Sequence, residues 1–218
     1  MKKDFFSQDY TQGQLNAFVK MLAEQSGYED VVERTLCKEL TFSVIGKPWT
    51  EKNPRIYFEV STLGLTAEEW KERLIQGGHK LSDWTKDILS KPDYNQNHRY
   101  EAGKMLKVVL IRGKDIEKDS ERLTKNLKVI AVKDFGEKSA SELKGELALL
   151  IREKFNNKEL EKMGLWYIAV LHEPIVDSGG DPFVLYSFRG DGESWVGTAW
   201  DDPGDGWNVD GAFAFLQD

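Results

Sequence analysis

The sequence predicts an α+β fold: mixed, mainly antiparallel sheets with several packed helices and a β-rich C-terminal segment. Three observations point there. Apolar runs of period two and capped runs of helical period both occur, and they follow one another without strict alternation. The last quarter carries apolar segments separated by glycine- and aspartate-rich turns, a hairpin signature. With 40% hydrophobic and 31% charged residues over 218 positions, the chain has the composition of a globular protein with a sizeable core.

The first element is a helix, with Thr11 and Gln14 as a capping box and Leu15, Phe18, Val19 and Leu22 on one face. Strands follow in "KELTFSVIG", where Leu40, Phe42 and Val44 alternate, and in "PRIYFEVS", where Ile56, Phe58 and Val60 do. The polar, proline-bounded "KPWTEKNP" between them reads as a hairpin-like link. "LTAEEWKERLIQGG" is a helix capped by Thr66 with Glu69 and stopped at Gly77 and Gly78. "SDWTKDILSKP" is a second helix, capped by Ser82 and ended before Pro92. "DYNQNHRYEAGK" lacks periodicity. It marks the boundary between an N-terminal α+β region, 1–95, and a C-terminal one, 96–218, unless the two are one continuous domain.

"KMLKVVLIRG" is apolar on both faces and therefore a central strand. "SERLTKNLKVIAVKDFG" is a helix through Leu123, Leu127 and Ile130. Ser139 with Glu142 caps another, whose core face is Leu143, Leu147, Leu150 and Ile151. "NNKELEKMG" gives a short capped helical turn before the apolar strand "LWYIAVLHEPI". "PFVLYSF" and "ESWVGTAW" form a hairpin, and "GAFAFLQ" is the final strand.

Charge is unevenly distributed. From His172 to Asp218 there are ten carboxylates and one cation, Arg189. The remainder holds 27 acids and 29 bases. Such an acidic end repels phosphates, and the rest shows no basic stripe, so nucleic acid is excluded as a partner. A single cysteine, Cys37, permits no intrachain disulfide or thiolate cluster and suits a reducing compartment. No apolar run of leader length follows Lys2 and Lys3, and none approaches the roughly 18 residues of a membrane span. A cytoplasmic location without membrane contact is expected.

The Asp-Gly turns invite a calcium reading. "DDPGDG" sets Asp201, Asp205 and Gly206 at positions 1, 5 and 6 of a helix-loop-helix calcium loop. The match breaks at Pro203, which has no side-chain oxygen, and at Ala212, where a bidentate Glu is needed. Asp177, Asp181, Asp201, Asp202 and Asp205 still offer oxygen ligands for a divalent cation. Otherwise Asp and Gly here simply make turns. His172, followed by Glu173 at the end of an apolar strand, is a base, a ligand, or a hydrogen-bonded structural residue. No serine lies in a nucleophile elbow, and Cys37 has no identifiable base.

The aromatics are the other concentration. Trp166, Trp195, Trp200 and Trp207 lie in the last quarter, alongside Tyr167, Tyr186, Phe183, Phe188, Phe213 and Phe215. Trp195 and Trp200 are five positions apart, so on one strand they point to opposite faces. An exposed indole beside Asp191, with Arg189 nearby, suits a sugar or peptide. The alternative is that the rings fill a core.

At "MGLWYIAVLHEPI", "DSGGDP" and "GAFAF" the chain resembles a family of uncharacterised bacterial proteins. Its pattern is a W-Y-I strand, H-E-P-I, a D-S-D-G-P loop and a glycine-aspartate-glycine hairpin followed by Trp. "QDYTQGQLNAFVK", "EEWKERL" and "LIRE" extend the likeness over most of the chain. The resemblance implies no activity. Gly179 stands where the pattern has its second aspartate, which removes a carboxylate from that loop.

The expected function is non-catalytic binding of a protein partner or small polar ligand at the acidic, aromatic C-terminal surface. Trp195, Trp200, Trp207, Arg189 and Asp191 are the binding residues, and no cofactor is required. One alternative is a metal-assisted hydrolase with His172 or Glu173 as base or ligand and a divalent cation on the loop aspartates. Another is an acidic mimic of nucleic acid. The sequence sets no oligomeric state.

Overall fold

Val108, Val109, Leu110 and Ile111 are all buried, so β4 (Met105–Arg112) has apolar neighbours on both faces and must lie inside a sheet. In the computed structural model, which describes residues 47–52, 54–190, 192–202 and 204–217, it does. Seven helices and nine strands among the described residues make an α+β fold around one mixed, mostly antiparallel sheet, within the unit Pro48–Asp218. The helix expected over Thr11 to Leu22, the strand expected in "KELTFSVIG" and Cys37 lie outside the described residues.

The other strands are β1 (Thr50–Lys52), β2 (Arg55–Ser61), β3 (Lys80–Leu81), β5 (Tyr167–Val170), β6 (Ile175–Val176), β7 (Pro182–Gly190), β8 (Glu193–Trp200) and β9 (Gly211–Leu216). Their order across the sheet is β1-β2-β4-β9-β5-β7-β8-β3, with β6 paired to β7. Only β5/β9 and β3/β8 are parallel. The final strand therefore does not extend an edge. It enters between β4 and β5, which explains why "GAFAFL" is buried at all six positions. Part of the polar "KPWTEKNP" segment itself forms β1 against β2.

The helices are α1 (Ala67–Gln76), α2 (Asp83–Ser90), α3 (Pro92–Asn97), α4 (Thr124–Phe135), α5 (Lys138–Ser141), α6 (Glu146–Lys154) and α7 (Asn157–Lys162). Thr66 and Glu69 cap α1 reciprocally, Ser82 caps α2, and Asn156 with Glu159 caps α7. The expected Ser139/Glu142 box does not form. Ser139 is buried inside α5, and α6 starts at Glu146, whose N–H donates to the carbonyl of His98. The Glu146 carboxylate is fully buried and accepts from the N–H groups of Gly64 (2.8 Å) and Tyr100 (2.6 Å). Tertiary partners thus replace the local cap.

The aperiodic "DYNQNHRYEAGK" contributes α3 and two buried side chains, Tyr94 and His98. The sheet runs across position 95, since β2 and β4 pair over six residues. No helix among the described residues is long and apolar enough to cross a membrane.

Strand alternation fixes the two faces at β7. The Ser187 hydroxyl donates to the carbonyl of Ala148 (2.7 Å), so Ser187 and Leu185 face α6. Tyr186 and Phe188 then point the other way. Through the register Tyr167 shares their face, as do Phe213 on β9 and Trp195 on β8.

Candidate functional site

On that second face, a row of rings crosses the sheet. Trp207 lies 6.1 Å from Tyr167, Tyr167 5.9 Å from Tyr186, Tyr186 5.0 Å from Phe188, and Phe188 6.0 Å from Trp195, centroid to centroid. Glycine across the strand lets them pack against the backbone. A Cβ on Gly211 would fall inside the Tyr167 ring, its partner on parallel β5. One on Gly197 would meet Tyr186 and Phe188 at 2.9 Å, and one on Gly190 would meet Trp195 at 2.8 Å. The rings cover missing side chains in two sets: Trp207 is tilted 35° to Tyr167, Phe188 is tilted 32° to Tyr186 and stacked at 22° on Trp195, and the sets meet edge to face at 78° between Tyr167 and Tyr186.

A cleft of about 370 Å³ opens above this floor. That falls within the range of small-molecule sites, about 300–1,000 Å³. Tyr167, Tyr186 and Phe188 contribute from the sheet; Trp166, Trp207 and Asn208 stand beside them, with Asp202, Asp205 and Thr124 at the rim. Trp207 is fixed from two sides. Its indole N–H donates to Thr124 Oγ1 (3.0 Å), which in turn donates to Asp201 (2.9 Å). Buried Arg122 holds the Trp207 backbone, donating through Nε to its carbonyl (2.9 Å) and accepting its N–H at the Arg122 carbonyl (2.9 Å). The Tyr167 hydroxyl donates to the carbonyl of Asn208 (2.9 Å).

Among the described residues, the charged side chains that line the cleft are Asp202 and Asp205, with no Lys, Arg or His. Asp202 accepts from the N–H of Gly204 (2.6 Å), while the Asp205 carboxylate is exposed and has no hydrogen bond or ion pair among the described residues. The Tyr186 hydroxyl is likewise without a protein partner among them, and burial raises its pKa, so it stays a neutral phenol.

The binding residues expected from sequence are divided. Trp207 stands in the cleft, and Trp200 borders it at the end of β8 with its ring directed to the other face. Trp195 stacks at the end of the row, outside the lining. Trp195 and Trp200 do point to opposite faces: Trp200 pairs across the strand with Phe183, which stacks on Trp84 of α2 at 5.6 Å. Arg189 lies on the α6 side, 5.1 Å over the Trp166 ring and 3.5 Å from Glu161. Asp191 lies outside the described residues. Sequence reasoning counted Tyr167, Tyr186 and Phe188 among the aromatics without giving them a site, and passed over Thr124 and Asn208. The missed signal was cross-strand glycine: Tyr186 and Phe188 lie opposite Gly197 only once the hairpin register is known.

His172 lies elsewhere, fully buried beneath the edge of β7. A carbonyl can only accept, so Nδ1 donates to the Glu173 carbonyl (2.6 Å). An amide N–H can only donate, so Nε2 accepts from Leu185 (3.0 Å). Both ring nitrogens are thus engaged by backbone and neither faces a cleft. Burial, reinforced by the His98 ring at 4.9 Å, pushes its pKa down to about 3. The Glu173 carboxylate points outward to Lys128 (3.3 Å).

The loop aspartates are mostly turn-makers. Asp177 Oδ1 accepts from the N–H groups of Gly179 (2.7 Å) and Asp181 (2.9 Å). The two acidic loops are backbone neighbours, since Asp201 N–H donates to the Pro182 carbonyl (2.9 Å). Among the described residues, though, no three His, Cys, Asp or Glu side chains converge as metal ligands. Asp202 and Asp205 face the aromatic cleft; Asp177 and Asp181 do not line it.

No protein-family model, curated protein or solved structure matches the chain.

Proposed function

We propose that this protein is a non-catalytic binding protein whose working surface is the aromatic cleft over β5, β7 and β8. The observation that carries this reading is a glycine-backed floor on which two ring sets meet at nearly a right angle. Three glycines sit where a side chain would displace Tyr167, Tyr186, Phe188 or Trp195. A core needs ring volume, but it does not need Tyr186, Phe188 and Trp207 left half-buried beside a cleft of this size. The occupant is a small polar ligand or a partner's side chain. The non-catalytic part rests on His172, whose nitrogens both serve the backbone. A cytoplasmic setting fits the single cysteine.

A fragment screen followed by the indole N–H resonance of Trp207 tests the site, with those of Trp166 and Trp200, whose rings lie towards the other face, as controls. The fragments span organic cations, saccharides and nucleosides. Hits are expected to shift Trp207 first, because its N–H sits at the rim on Thr124. Hits that cluster elsewhere, or no hits across the three classes, overturn the reading.

A further inference from the structure

The chemistry left over in the cleft narrows its ligand. Most neutral polar groups along it are already engaged. Thr124 accepts from Trp207 and donates to Asp201; the Tyr167 hydroxyl donates to Asn208; and the Asn208 side-chain oxygen accepts from the Asp210 N–H (3.1 Å). What remains is one phenol, one amide NH2 and the two rim carboxylates. A sugar needs many neutral donors and acceptors, which are scarce here. An anion meets Asp202 and Asp205 with no cation among the lining residues.

The ring faces and the carboxylates make the same demand. The face of an aromatic ring is negative, and cations stack on it best when water is displaced, as in aromatic cages for quaternary ammonium. Unpaired Asp205 adds a second attraction at the rim, and the surplus of nine negative charges between His172 and Asp218 adds steering. Resting on the cleft being a binding site, we infer that it selects a small organic cation, a quaternary ammonium or alkylated amine, over a neutral ligand of the same shape.

Choline and its uncharged isostere 3,3-dimethyl-1-butanol separate charge from shape, and maltose represents the sugars. Each is titrated into the full chain while the Trp207 indole resonance and binding heat are followed. Choline is expected to bind at least tenfold more tightly than the isostere and to weaken in high salt. Asp205→Asn, at an exposed carboxylate with no partner among the described residues, is expected to leave the fold intact and to weaken choline about threefold to tenfold without moving the isostere. The double variant Asp202→Asn/Asp205→Asn weakens it further. If the isostere or maltose binds as tightly as choline and shifts Trp207, the cation preference is overturned while the cleft stands as a binding site. If no probe shifts Trp207, the binding site falls as well.

Discussion

The ring of Tyr167 occupies the space that a Cβ would take on Gly211, its partner on the adjacent parallel strand. Neither residue can change alone. Tyr167 is 7% exposed and Gly211 is buried in β9, so there is no direction in which the ring can simply lift. Gly211→Ala is expected to cost about 1–3 kcal/mol by overpacking. It also tilts the floor under Trp207 and breaks the Tyr167 hydroxyl's bond to Asn208. Urea denaturation measures the first effect. An upfield or broadened Trp207 indole signal reports the second, and an unchanged midpoint would show that the glycine is incidental.

Gly197→Ala acts on the same floor with a different balance. The new methyl would press on Tyr186 and Phe188 at 2.9 Å, but both rings are half-buried and have the open cleft to move into. The stability loss should stay below about 1.5 kcal/mol, because strain is relieved by tilting. Ligand affinity should fall much more, since the displaced rings open the nearly right-angled corner that Tyr186 makes with Tyr167. A stable variant that still binds would show that this ring arrangement is not what the site requires.

Thr124 links a helix start to the cleft. Thr124→Val removes the acceptor for the Trp207 N–H and the donor to Asp201 while keeping the shape. A part-buried indole N–H without a partner costs about 1–2 kcal/mol. Thr124→Ser retains the hydroxyl and is expected to restore both stability and the Trp207 emission maximum. Equal behaviour of the valine and serine variants would remove the hydrogen bond from the account.

Local chemistry was legible in the sequence wherever the residues that determine an element are neighbours. The Thr66/Glu69 box, the Ser82 cap and the β7/β8 hairpin each depend on side chains within a few positions of one another, and each forms where expected. Ser139 and Glu142 carry the same motif, yet there the helix starts four residues beyond Glu142, because Glu146 is claimed by Gly64, His98 and Tyr100 from distant loops. No window of sequence contains those partners. The cleft shows the same limit. Its aromatics were visible as a concentration, but the pairing of Tyr167 with Gly211 spans 44 positions and a parallel register that only the completed sheet sets. The acidic excess was legible as charge. Its division into turn-making Asp177 and unpaired Asp205 was not, since the two occur in similar Asp-Gly contexts.

His172 makes stability depend on pH in a window that opens above the carboxylate range and runs down into it. In the folded chain its pKa is pushed down to about 3 by burial, with the His98 ring and Lys128 acting in the same direction and the bond to the Glu173 carbonyl opposing them. Unfolded, it returns to the ordinary histidine value near 6.5. Between those values the unfolded chain binds a proton that the folded chain refuses. Stability is therefore full above about pH 6.5 and falls as pH drops towards 3, by up to about 1.4 kcal/mol per unit. His79 and His98 are lowered by burial too and slope the same way. His172→Asn isolates the one residue. At pH 7.5 it should be less stable than the parent by about 1–3 kcal/mol, because Leu185 N–H loses its acceptor. At pH 5 the deficit should shrink by about 2 kcal/mol, since only the parent has lost the contribution of position 172. Urea midpoints at the two pH values decide it: a deficit that stays constant means His172 titrates alike in both states, and the backbone bonds to its two nitrogens do not hold it neutral.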